Sequence, residues 1–83
     1  MELQERRRFE QIIREAYSGE TPNSALQEIV ETLPKRYRDV IQCRVIEGLS
    51  WFDVQDRLFY TERRGRDILI EAIAEVQRRM GGT

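Results

Sequence analysis

Histidine is missing from this chain of 83 residues. With it go the usual general base, the commonest metal ligand and the Ser-His or Cys-His nucleophile pairs. A binder is therefore expected rather than an enzyme, with no cofactor and no metal. The lone cysteine, Cys43, excludes an intrachain disulfide and a zinc cluster. One unpaired thiol suits a reducing interior, so a cytoplasmic protein is expected. No apolar run approaches the roughly 18 residues of a membrane span. The charged start (Glu2, Glu5, Arg6, Arg7, Arg8) is not followed by an apolar stretch, so neither a transmembrane helix nor a secretory signal is expected.

Prolines number two and glycines five, and they sit where helices would be punctuated. Nowhere do apolar and polar residues alternate as in a strand. The expected fold class is all-α: one compact helical domain of about five helices, which is all that this length allows. Phe9, Ile12, Ile13 and Ala16 form one stripe on a first helix from Glu2 to Tyr17. Residues 18–23 break it. Ser24 is expected to cap a second helix, with Gln27 completing a capping box and Leu26, Ile29, Val30 and Leu33 facing inward. Pro34 restarts the chain as the first residue of a third helix running to about Glu47, with Tyr37, Val40, Ile41 and Val45 inward and Gly48 as its stop. Ser50 caps a short fourth helix with Trp51, Val54 and Leu58 inward. Thr61 caps a last helix that reaches about Met80.

Charge is abundant, 35% of residues, yet nearly balanced at a net −1. That total argues against a polycation that coats nucleic acid. Residues 1–33 carry four Arg against seven Glu, and residues 34–83 carry ten basic against eight acidic groups. The C-terminal part is thus the better candidate for a polyanionic partner.

Ser50 to Met80 has the layout of a helix-turn-helix, whose second helix enters the major groove by its N-terminal end. At 100° per residue, Gly65, Leu69, Ala72, Ile73, Val76 and Met80 form the inward stripe of that helix. Arg63, Arg64 and Asp67 point the other way and Arg66 lies at the flank. Arginine suits bidentate contact with guanine or phosphate. Spacing alone leaves two readings open, DNA contacts or arginines on a solvated surface.

The run Leu33-Pro34-Lys35-Arg36-Tyr37-Arg38-Asp39-Val40-Ile41, followed by Arg44-Val45-Ile46-Glu47-Gly48-Leu49-Ser50, resembles region 4 of bacterial sigma factors. Trp51-Phe52-Asp53-Val54 with Leu58, then Tyr60-Thr61-Glu62-Arg63, is similar to the small phage regulators of the ArpU/RinA kind. The resemblance covers about residues 33–80. It implies a DNA-binding transcriptional regulator without enzymatic activity, of phage or prophage origin. Thr61 would then cap the recognition helix, Arg63, Arg64, Arg66 and Asp67 would lie at or beside DNA, and Lys35, Arg36 and Arg38 would contact phosphates. Proteins of this kind usually read half-sites as dimers, so a homodimer is expected, with residues 1–32 as a dimer or partner element.

Two positions depart from that pattern. Phe59 stands where a glycine commonly supplies left-handed backbone. Gly65 replaces a branched apolar residue, at a helical cost of about 1 kcal/mol, and is expected to leave Leu69 without a packing neighbour. Either the turn and helix are rearranged, or the surface serves something other than an ordinary operator. The alternative partner is RNA polymerase or another regulator. Ile70, with Ile68 and Phe59 nearby, marks a candidate partner surface. Trp51 reads as a core anchor, Cys43 as a small core or boundary residue, and Arg6-Arg7-Arg8 as members of i,i+4 pairs on a solvated face.

Overall fold

The apolar stripes of the sequence close on one another in five helices among the described residues, 2–81, of a computed structural model. They are α1 (Leu3–Ser18), α2 (Ser24–Glu31), α3 (Lys35–Val40, continued as a π-helical turn over Ile41–Ile46), α4 (Trp51–Leu58) and α5 (Glu62–Met80). The described residues contain no strand, and the class is all-α. No helix among them is long and apolar enough to cross a membrane.

Helix α1 ends where Gly19 turns extended and donates its N–H to Glu15 O. Helix α2 is capped by Asn23, not Ser24: the Asn23 side chain accepts from Leu26 N at 3.1 Å, and Ser24 is the first helical residue. That places Gln27 one position too far along for a capping box. Its Nε2 instead donates to Ala16 O at 2.6 Å and ties α2 to α1. Pro34, extended at ψ 147°, is the cap of α3 and not its first residue.

The third helix does not stay α-helical as far as Glu47. Glu47 N–H donates five residues back, to Gln42 O, at 2.9 Å. Carbonyls in the widened turn take partners from outside the ladder: Arg14 Nε reaches Val45 O at 3.0 Å, and Leu49 N reaches Cys43 O at 3.0 Å. Gly48 then takes φ +70°, the left-handed region that glycine tolerates without steric cost.

Helix α5 is the spine of the molecule, in contact with each of the other helices. Ile68, Leu69, Ala72, Ile73 and Val76 are buried on it, against Ile13 and Ala16 of α1, Leu26 and Val30 of α2, and Val40 of α3. The buried arc of α5 is therefore wider than its predicted stripe. Ile68 is fully buried and belongs to no partner surface, because α3 packs on its flank. Ile70 is half-buried. Met80, at the helix end, is 43% exposed and outside the core. Leu69 is 2% exposed, so it does not lack neighbours.

Candidate nucleic-acid interface

Two capped helices and a three-residue turn build the region that the sequence singled out. Ser50 Oγ accepts from Asp53 N at 3.2 Å and opens α4. Phe59 closes that helix in left-handed conformation, φ 62° and ψ 26°, while donating its N–H to Gln55 O at 2.8 Å. The turn thus keeps the backbone a glycine would adopt, with phenylalanine in its place. It is not rearranged. Thr61 then caps α5, its hydroxyl accepting from Arg64 N at 3.1 Å.

Gly65 is the contact point between the two helices. A Cβ built on it would stand 2.8 Å from Cζ3 of Trp51, inside the distance real Cβ atoms keep. The tryptophan ring fills the place of the absent side chain, and Trp51 is only 9% exposed. A branched residue at 65 would push α4 away from α5. The glycine therefore sets how closely the turn folds, and the core anchor predicted for Trp51 has its partner here.

The first two turns of α5 leave Arg63, Arg64 and Asp67 exposed. No carboxylate among the described residues lies within ion-pairing distance of the Arg63 or Arg64 guanidinium. Arg66 is placed differently. It pairs with Glu62 at 3.0 Å and lies 5.7 Å from the centroid of the Trp51 ring, on the other flank of the helix.

The three basic residues of α3 do not act as one group. Arg36 stacks over Tyr37, 4.7 Å from its centroid, and Tyr37 Oη donates to Glu71 Oε2 at 3.5 Å. The hydrogen bond from Arg36 to the Tyr37 hydroxyl, helped by Glu71, raises the guanidinium pKa further above its ordinary value. Glu71 is seven residues beyond Arg64, so Arg36 lies on the Arg64 flank of α5, about 10 Å along the axis. Lys35 and Arg38 line a groove with Tyr17 and Glu31, on the side of α1 and α2. Lys35 is paired there with Asp39 at 2.8 Å.

Phe52, which the sequence reading left unassigned, stands out beside Phe59, already named there as part of a candidate partner surface. Phe52 is 79% and Phe59 89% exposed, and together they line a shallow hollow on the outer face of α4 with Gln55 and Asp56. Their i,i+7 spacing was the available signal, because it puts both on the face opposite Val54. Among the described residues, no three His, Cys, Asp or Glu side chains converge as a metal site would require. No protein-family model, curated protein or solved structure matches the chain.

Proposed function

We propose that the chain is a DNA-binding transcriptional regulator of region-4-like helix-turn-helix type, from a phage or prophage, and not an enzyme. The observation that carries this reading is the pair Arg63 and Arg64 in the first turn of a capped helix, exposed and without an ion-pair partner among the described residues. In the major groove, that turn is where a recognition helix meets base edges. Thr61 and Phe59 fix its entry angle, Asp67 lies one turn further on, and Arg36 stands on the Arg64 flank for a backbone phosphate. Arg66, held over Trp51, approaches the duplex only from the side. The functional unit on this reading is a homodimer in the cytoplasm, with α1 and α2 as the element that pairs.

The test is fluorescence anisotropy on duplex DNA taken from around the encoding gene. The double variant Arg63→Ala/Arg64→Ala loses specific binding and keeps its helical circular dichroism. Affinity in the parent chain falls steeply with salt, since phosphate contacts release counterions. Binding unchanged by the double substitution overturns the reading.

Phe52 and Phe59 favour a second reading, in which the chain binds RNA polymerase or another regulator through the outer face of α4. Two phenylalanines at this exposure are apolar surface with no partner in the monomer. Association of that kind resists salt and is lost in Phe52→Ser/Phe59→Ser, whereas binding through phosphates is not.

A further inference from the structure

Arginines separated along the chain meet in a cleft on the side of α5 away from Arg64. Arg6, Arg7 and Arg14 come from α1, Arg44 from the π-helical turn and Arg66 from α5, with Trp51 beside them; the cleft measures about 360 Å³. Five guanidinium groups face a single lining carboxylate, Glu10. Three of the four arginines of residues 1–33 are placed here, although that stretch carries seven Glu against them. Like charges gathered in a concave site repel one another unless a counterion is present, and low-dielectric walls strengthen the field.

The internal partners of these arginines leave donors unused. Arg14 gives Nε to Val45 O at 3.0 Å, and Arg44 gives Nη1 to Leu49 O at 2.7 Å. Arg44 lies 4.9 Å from the centroid of the Trp51 ring. Neither arginine has a carboxylate within ion-pairing distance among the described residues, nor does Arg7. Arg6 Nε is sealed from solvent without a hydrogen-bond partner, the nearest Glu10 oxygen being 3.9 Å away. A buried charged donor without an acceptor is costly to leave unsatisfied.

We infer that this cleft binds a small polyphosphate anion. Its volume falls within the range of small-ligand clefts, and its lining is charged instead of apolar, so the ligand must be too. Guanidinium forks match phosphate oxygens in pairs, and several converging forks call for a compact ligand with several negative charges. Two guanidinium groups already lie over the Trp51 ring, and at 9% exposure the ring has no open face for a nucleobase. Recognition therefore rests on the phosphate chain. A duplex presents its phosphates along a rail, which fits a pocket between four helical segments less well. The inference stands apart from the DNA reading, because neither Arg63 nor Arg64 lines the cleft.

Trp51 is the only tryptophan and lines the site, so its emission reports occupancy directly. The whole chain is titrated with sodium tripolyphosphate at fixed ionic strength, with sodium sulfate as control. A saturable change in Trp51 emission is expected with tripolyphosphate and not with sulfate. Arg7→Glu, an exposed position with no polar partner to lose, weakens the apparent Kd about tenfold or more. Arg8→Glu, next in sequence but outside the cleft, changes it less than twofold, and both variants keep the parent circular dichroism. Arg63→Ala/Arg64→Ala binds tripolyphosphate as the parent does. A response no different from sulfate, or an equal loss in Arg8→Glu, overturns the proposal. So does a response sensitive to Arg7→Glu that appears with a 20-base-pair duplex and not with tripolyphosphate, which would make the cleft part of a DNA track.

Discussion

Helix α5 begins and ends with an arginine pair, and the two pairs live in opposite electrostatic states. At the start, Arg63 and Arg64 follow the Thr61 cap with no carboxylate of the described residues within ion-pairing distance. At the end, both Arg78 and Arg79 are clamped by Glu75, and Arg79 Nη1 also donates to Thr32 Oγ1 at 3.0 Å. Those hydrogen bonds, from Arg78 first and then Arg79, lower the Glu75 pKa to about 2. The last pair also sits where the helix dipole favours positive charge, and the first pair where it does not. Cations at a helix C-terminus with an internal acid stabilise a fold. Cations left free at an N-terminus are spare for a partner. Residue type and number are the same, and the neighbours decide the role.

The largest expected effect separates the two ends outright. Arg63→Ala/Arg64→Ala lowers specific DNA affinity about a hundredfold or more, since each bidentate base contact contributes about 1–3 kcal/mol. Arg78→Ala/Arg79→Ala leaves it within a few-fold in the same anisotropy titration. Comparable losses at both ends would erase the distinction and leave only diffuse charge.

Next in size is the joint that aims the first turn. Gly65→Ala gains about 1 kcal/mol of helix propensity but drives a Cβ into Trp51, and overpacking of this kind costs about 1–3 kcal/mol. A net destabilisation of about 1 kcal/mol is expected in urea unfolding, with a shift in Trp51 emission. A variant more stable than the parent would mean that α4 and α5 adjust freely, and that the aim of Arg63 and Arg64 is not fixed there.

Phe59→Gly has the opposite sign. An L-residue in left-handed backbone costs about 1–2 kcal/mol, and a glycine forfeits part of the gain through unfolded-chain entropy. The expected outcome is a small rise in Tm with DNA binding retained. Loss of a protein partner in that same variant would move the function from the arginine pair to the outer face of α4.

The smallest effect belongs to the clamp at the far end. Glu75 has a folded pKa below its unfolded value of about 4.3, so the unfolded chain holds more protons at mildly acid pH. The stabilisation it gives is present above that value and fades as pH falls toward about 2. An exposed pair of this kind contributes little. Glu75→Gln should flatten the acid limb of a thermal-unfolding series and release Arg78 and Arg79, steepening the salt dependence of DNA binding. An unchanged acid limb would show the clamp to be ornamental.

What could be read in the sequence was local chemistry. Ser50 and Thr61 declare themselves as caps because the hydroxyl and the N–H it accepts from lie three residues apart. The amphipathic stripes of α1 and α5 place Ile13, Ala16, Leu69, Ala72, Ile73 and Val76 inward by periodicity alone. Asn23 and Ser24 are both good caps, and only the contact of Gln27 with Ala16 O settles the choice. The π-helical turn depends on Arg14, thirty-one residues before Val45. Gly65 looks like a defect until Trp51 is set against it. In the candidate interface, periodicity separates Arg63 and Arg64 from the core. It does not divide Lys35 and Arg38 from Arg36, because that division depends on which neighbouring helix each one faces. The arginine cleft is illegible for the same reason: its members belong to three segments, each with a net charge of only +1.

The widened turn at Ile41–Ile46 also makes this helix a length gauge. Its hydrogen bonds span one residue more than an α-helical ladder, so the segment carries a residue that an α-helix would not need. Deleting one residue there restores the ordinary ladder and leaves α4 and α5 close to where they stand. The same deletion in the α-helical stretch Lys35–Val40 has no spare residue to give up, so it draws in everything downstream by about 1.5 Å and rotates it by about 100°. A one-residue change in chain length is therefore absorbed at the widened turn and redirects the proposed reading head when it falls one turn earlier.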